Sequence, residues 1–221
     1  MIDEAHNPYR APGATLEPAP AQGEGLPSPW SPAQFRKLLR IYSLLHWIGL
    51  GVFLVGTALY IGAVVLMISG MMRDGRGPDP DRVNEHLAGF LGMLLPGFIA
   101  MMAGFGMWIA SVVIAAILGY RLWTLVQRPG LTTTPGQAVG FQFIPFFNFY
   151  WIFVAWRGLA VELRRRGAHA PVGLATAAGV LFILNCLPYL NVLAMLPFAI
   201  VVPFMVRGLV LGALPLLRRP A

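Results

Sequence analysis

The chain is predicted to be an all-α membrane protein: four transmembrane helices, a cytoplasmic-side interfacial or re-entrant aromatic segment, and an amphipathic helix after it. Three observations carry that prediction. Of 221 residues, 57% are hydrophobic and 11% charged, against about 25% charged in a soluble domain. Residues 41–72, 87–120 and 172–206 contain no Asp, Glu, Lys or Arg over 32, 34 and 35 positions, and about 20 apolar residues cross a bilayer. The basic residues flank these runs, as the positive-inside rule requires of cytoplasmic loops.

Residues 1–32 carry seven prolines among Ala, Gly, Glu and Gln. Such a segment buries too little apolar surface to offset its ordering entropy, so it reads as a disordered cytoplasmic tail. Residues 33–219 form a single transmembrane domain. Ser31 is placed to cap the first helix, with Pro32 at its first position. The first span covers about 44–69. Its Gly49, Gly51, Gly56 and Gly62 permit close helix contacts. A short loop, RDGRGPDPDRVNEH, follows. Residues 87–95 are too short to cross and end at Pro96-Gly97, which predicts an interfacial turn before a second span at about 98–120. Gly104 and Gly106 mark its packing face. Within 172–206, the centre NCLPYLN sets a proline between asparagines, which is turn chemistry. This predicts two spans, about 168–187 and 190–211.

The stretch FQFIPFFNFYW, 141–151, has seven aromatics in eleven residues. It lies in nineteen uncharged residues, 138–156, so length alone would let it cross. Charge decides. If it does not cross, both ends are cytoplasmic, with thirteen basic residues inside and three outside (Arg73, Arg76 and Arg82). If it crosses, six remain inside and ten go outside. The non-crossing arrangement satisfies the rule. The interfacial element is therefore 138–166. Pro145 removes a helix donor and biases Ile144 away from the helical region. Asn148 is placed to pair freed backbone groups, and Trp151 is a headgroup-level residue type. Beyond it, Ile152, Trp156, Leu159, Ala160 and Leu163 fall on one stripe. Arg157, Glu162, Arg164 and Arg165 fall on the other. That is the pattern of a helix lying in the membrane plane.

The block TPGQAVGFQFIPFFNFYWIFVAWRGLAVEL, 134–163, resembles one in uncharacterised bacterial multi-pass membrane proteins classed as a domain of unknown function. The matching residues are Pro135, Gly140, Ile144, Pro145, Asn148 and Trp151, the I/V-P-x-x-N core with its aromatic neighbours. The resemblance implies a four-span inner-membrane architecture and brings no activity.

Arg207, in the last apolar run, reads as a snorkelling arginine or a contact for an ion or lipid headgroup. His46 reads as an interfacial histidine. Asp79, Asp81, Glu85 and His86 crowd one loop, but with Arg82 among them they read as a solvated acidic segment rather than a cation site. Glu162 with Arg165 and Arg166 reads as a helical surface pairing. The Arg164–Arg166 run attracts anionic lipid of the inner leaflet. The single Cys186 excludes an internal disulfide and a CxxC metal site.

Arginine outnumbers lysine fifteen to one, the bias of a GC-rich bacterial genome. The expected location is therefore the bacterial inner membrane. The basic excess of +7 belongs to topology and not to nucleic acid. No cleavable signal or lipidation signature is expected. No HExxH, GxSxG or P-loop is present, and no span holds an acid, so the reading is non-enzymatic and without cofactor. It predicts an accessory subunit, scaffold or membrane organiser with a membrane-protein partner or a homo-oligomer. The alternative is a transporter or channel for a small or lipophilic solute. There 141–151 would be a re-entrant gate, and Asn148, Asn185 and Arg207 the polar contacts. The candidate functional residues are Pro145, Asn148, Trp151, Arg157 and Arg207.

Overall fold

The computed structural model describes residues 29–73 and 80–217, apart from the side chains at 71, 73, 80–83, 85 and 86. Most of the predicted tail, Asp79, the side chains of Asp81, Glu85 and His86, and Arg218 and Arg219 lie outside what is described. Every described element is helical.

Helix α1 runs Pro32–Arg73. It starts where the sequence predicts. Gln34 N–H donates to Ser31 Oγ at 3.3 Å, and Ser31 N–H donates to Gln34 Oε1 at 3.0 Å, a reciprocal capping box. Just before it, the Trp30 ring lies under the Arg121 guanidinium at 5.1 Å. Helix α2 runs Pro80–Leu125 without interruption, with Pro96 inside it. This corrects the predicted break after residue 95. Pro96 removes one backbone donor, which a membrane helix tolerates, and its neighbour Gly97 is pressed against α1 instead of turning the chain.

The α1–α2 pair is held by glycines at seven-residue spacing, the repeat that keeps one face of each helix toward the other. A Cβ on Gly56 would lie 2.5 Å from Met101 N and 2.7 Å from Gly97 O. A Cβ on Gly104 would lie 2.5 Å from Phe53 N and 2.7 Å from Gly49 O. Gly49 and Gly97 also face the partner backbone, less tightly, with Gly104 O at 3.1 Å and Tyr60 N at 3.0 Å from the added Cβ. Gly51, Gly62 and Gly106 meet nothing within 4 Å, so of the six glycines predicted for packing only Gly49, Gly56 and Gly104 do it. Gly97 is the contact that the predicted turn concealed.

A second capping box opens α3, Pro135–Gly140: Thr134 accepts from Gln137 N–H while the Gln137 side chain accepts from Thr134 N–H. A 3₁₀ turn follows at Phe141–Phe143. Then α4 (Asn148–Ile152), a π-helical turn (Phe153–Gly158) and α5 (Leu159–Arg165) run on with helical dihedrals at both joins. After a loop, α6 (Val172–Asn185) and α7 (Leu190–Leu217) form a hairpin around the predicted turn at Pro188.

Three helices, α1, α2 and α7, are long and apolar enough to cross a membrane. The third predicted span, 168–187, is realised as the 14 residues of α6. At 1.5 Å per residue that is about 21 Å, against roughly 30 Å of hydrocarbon.

The core lies at the end of the molecule where α1 begins and α7 ends. It draws on Phe35, Leu39 and Tyr42 of α1, Leu118 to Leu125 of α2 with Val126 just after it, and Leu209 to Leu216 of α7. At its centre is α5. Leu159, Ala160 and Leu163 are fully buried, so the predicted apolar stripe meets protein and does not stand open to lipid. Beyond Gly49 on α1 and before Gly104 on α2, large apolar side chains such as Val55, Ile61, Leu95 and Ile99 are exposed.

Candidate functional site

The predicted aromatic block folds as a clasp. Phe147 N–H donates to Pro145 O at 2.7 Å and Asn148 N–H to Ile144 O at 3.0 Å, so Pro145 turns the chain between the 3₁₀ turn and α4. Trp151 stacks on Phe147 at 5.2 Å and meets Phe141 edge-on at 4.9 Å. Its indole N–H donates to Gln137 O at 2.9 Å. Two further indoles repeat the device. Trp156 donates to Gln142 Oε1 at 2.9 Å, its ring covering Gly119. Trp123 of α2 donates to Ala155 O at 2.9 Å, inside the π-helical turn. Trp151, expected at headgroup level, is thus half-buried and ties α4 to α3.

Asn148 departs from expectation. Its Oδ1 is buried and has no hydrogen-bond partner. The freed backbone groups it was expected to pair are served by backbone donors. Arg157 is exposed in the π-helical turn.

Glu162 also departs from expectation. The sequence puts it on the polar stripe, yet it is 7% exposed. The segment just after α2 closes over it. Arg128 Nε donates to its Oε2 at 3.3 Å and Arg165 to its Oε1 at 2.6 Å. Arg166 does not pair with Glu162 but donates to Gln127 O at 2.8 Å. Burial, and then the neighbouring Arg128 cation, lower the Arg166 pKa, with Glu162 opposing them. Arg164 donates to Ala170 O at 2.7 Å. All three arginines of the 164–166 run, expected at a lipid surface, are therefore engaged within the protein, joining the segment after α2, α5 and the loop after it.

His46, expected at the interface, is 3% exposed and enclosed by protein. Its Nε2 lies 2.7 Å from Ala199 O, so Nε2 carries the proton and donates. The reason lies four residues on: Pro203 has no N–H to give that carbonyl. A proline in α7 thus creates the acceptor that a histidine of α1 fills. The pairing was legible as the interval Ala199 to Pro203 plus a polar residue on another span.

The structure brings Pro145, Asn148 and Trp151 into one aromatic layer. It places Arg207 elsewhere, in a groove between α1 and α7 with Arg36 and Arg40.

No family model, curated protein or solved structure matches the chain.

One pattern escaped the sequence reading. Ile144-Pro145-Phe146-Phe147-Asn148 recurs as Leu187-Pro188-Tyr189-Leu190-Asn191. Both fold alike. Phe146 and Tyr189 have φ of +62° and +66°, and the residue after each donates to its proline carbonyl, at 2.7 and 2.8 Å. Both aromatics are exposed, at 84% and 91%. The two turns are linked through Phe149 and Phe182, 6.4 Å apart. Among the described residues, no group of three His, Cys, Asp or Glu gathers.

Proposed function

We propose that this is a non-enzymatic integral protein of the bacterial inner membrane, an accessory or scaffold subunit that presents its α1–α2 arm to the membrane. In this reading both termini are cytoplasmic and 138–166 stays on the cytoplasmic side; the α6–α7 hairpin supplies the last two crossings, with the bilayer locally thinned around the short α6. The resemblance of the 134–163 block to bacterial four-span proteins supports the setting.

One observation carries the reading: seven polar side chains of the apolar helices are turned inward on their own backbones. Ser43, Thr57, Ser69, Ser111, Thr124, Thr176 and Asn185 each donate to a carbonyl three or four residues back. His46 serves the carbonyl that Pro203 frees. Groups so engaged offer no line of polar contacts to a solute. The test is mass measurement of the full chain purified in mild detergent. The scaffold reading expects a complex or homo-oligomer of fixed stoichiometry; a lone monomer counts against it.

The gate reading keeps one supporting observation, the unpaired Oδ1 of Asn148. Asn185, its expected companion, is occupied by Leu181 O at 2.8 Å. Flux into liposomes that Asn148→Ala abolishes while folding is retained would favour the gate over the scaffold.

A further inference from the structure

We propose that the groove between the start of α1 and the C-terminal half of α7 binds one anionic glycerophospholipid. Its phosphate would be held by Arg36, Arg40 and Arg207, and an acyl chain would lie on Leu44, Trp47 and Ile48.

The groove has a volume of about 370 Å³ and is lined by these six residues among others. Its composition changes along its length. Arg36, Arg40, Leu44 and Ile48 succeed one another at four-residue intervals, so they stand on one face of α1. Two cations give way to two aliphatic side chains in that order. Across the groove, α7 contributes Arg207 beside the cations, while Phe204 meets Trp47 edge-on at 6.3 Å. A cationic mouth thus opens onto an apolar floor, the profile of a phospholipid from phosphate to chain.

Charge complementarity selects the sign of the headgroup. Neither α1 nor α7 contains an Asp or Glu. None of the three arginines pairs with a described residue, whereas Arg128 and Arg165 have Glu162 and Arg164 and Arg166 have backbone carbonyls. Arg36 and Arg40 are like charges four apart on one helix, which repel. An anion at the mouth relieves that repulsion, and arginine forks match phosphate oxygens. The apolar floor separates a lipid from a soluble anion: Leu44, Trp47 and Ile48 are 54%, 43% and 52% exposed and continuous with the cations. Trp47 has the ring type that favours the membrane interface.

The site rests on the membrane setting above but not on the scaffold role, and finding or missing a protein partner leaves its test untouched. The full chain is purified in neutral detergent. Native mass spectrometry and thermal stability are then followed as phosphatidylglycerol, phosphatidylcholine of the same chains, or inorganic phosphate is added. One phosphatidylglycerol should be retained and raise the melting temperature, with neither alternative matching it. Arg36→Gln, Arg40→Gln and Arg207→Gln should each weaken retention roughly fivefold, the effect of one basic residue at a charged bilayer. Trp47→Ala should weaken it with charge unchanged. Arg157→Gln, an exposed cation outside the groove, should leave it intact. Should Arg207→Gln fail to fold, Arg36→Gln decides, one turn into α1 and exposed. Equal retention of phosphatidylcholine, equal protection by inorganic phosphate, or an equal loss in Arg157→Gln would each overturn the proposal.

Discussion

The bond from His46 to Ala199 can be isolated because its cause is a second residue. With Pro203 at position i+4, Ala199 O has no intrahelical donor, and His46 Nε2–H at 2.7 Å replaces it. His46→Leu removes the donor and leaves the carbonyl buried and unpaired. A buried unpaired group costs about 1–3 kcal/mol, and helix–helix hydrogen bonds in membranes average about 0.6 and reach about 1.7 kcal/mol. His46→Leu should therefore destabilise the chain by roughly 1–2 kcal/mol. Pro203→Ala restores an N–H that Ala199 can accept. In that background His46→Leu should lose its bonding penalty and keep only its packing effect. Equilibrium unfolding in mixed micelles, followed by circular dichroism for wild type, both single variants and the double variant, gives the coupling energy. A coupling of about 0.6–1.7 kcal/mol is expected. A coupling below about 0.3 kcal/mol, the scatter of additive sites, would refute the assignment of His46 to the proline-freed carbonyl.

Other perturbations separate packing from propensity and strain. Gly104→Ala pushes a methyl to within 2.5 Å of Phe53 N. Since backbone cannot rotate away, it should cost about 1–3 kcal/mol by the same unfolding assay, while Gly106→Ala, facing open space, should be neutral or stabilising by up to about 1 kcal/mol. Glu162→Gln removes both ion pairs of a buried carboxylate. Because Arg128 and Arg165 are 46% and 60% exposed, the loss should be on the order of 1–2 kcal/mol rather than the full cost of a buried pair, and added salt should shrink it. Tyr189→Gly relieves a left-handed backbone at φ +66° and should hold the unfolding free energy or raise it by about 1 kcal/mol, in contrast to Trp151→Phe, which deletes the 2.9 Å bond to Gln137 O and should lower it.

Local signals were legible where one residue type acts alone. Ser31-Pro32 with Gln34 fixed the start of α1, and Pro188 between asparagines fixed the α6–α7 turn. Glycines 49, 56 and 104 announced a tight pair. Signals failed where tertiary partners override them. Pro96 looks like a break in a window of sequence, but α1 lies against Gly97 and the helix continues. Glu162 falls on the polar side of its own helix, and only the arrival of the segment after α2, with Arg128, buries it. Residues 168–187 are apolar enough for a span, yet Pro171 holds back the start of the helix and the turn after Asn185 ends it. Of the candidate residues, Pro145, Asn148 and Trp151 were readable as one cluster because they are adjacent in sequence. Arg207 was readable as unusual. Its companions Arg36 and Arg40 looked like ordinary flanking charge, because nothing in the order of the chain says that α7 returns beside α1.

The arrangement on which both proposals depend is the placement of the loops about 141–151, and the chain offers a direct probe of it, since Cys186 is its only cysteine. In a Cys186→Ser background, single cysteines at Gly77, Thr132 and His169 would be labelled in intact cells with a membrane-impermeant maleimide. The account predicts labelling at Gly77 alone, with Thr132 and His169 labelled only after permeabilisation. Labelling of His169 in intact cells, with Thr132 still protected, would mean that FQFIPFFNFYW crosses the membrane and would contradict it.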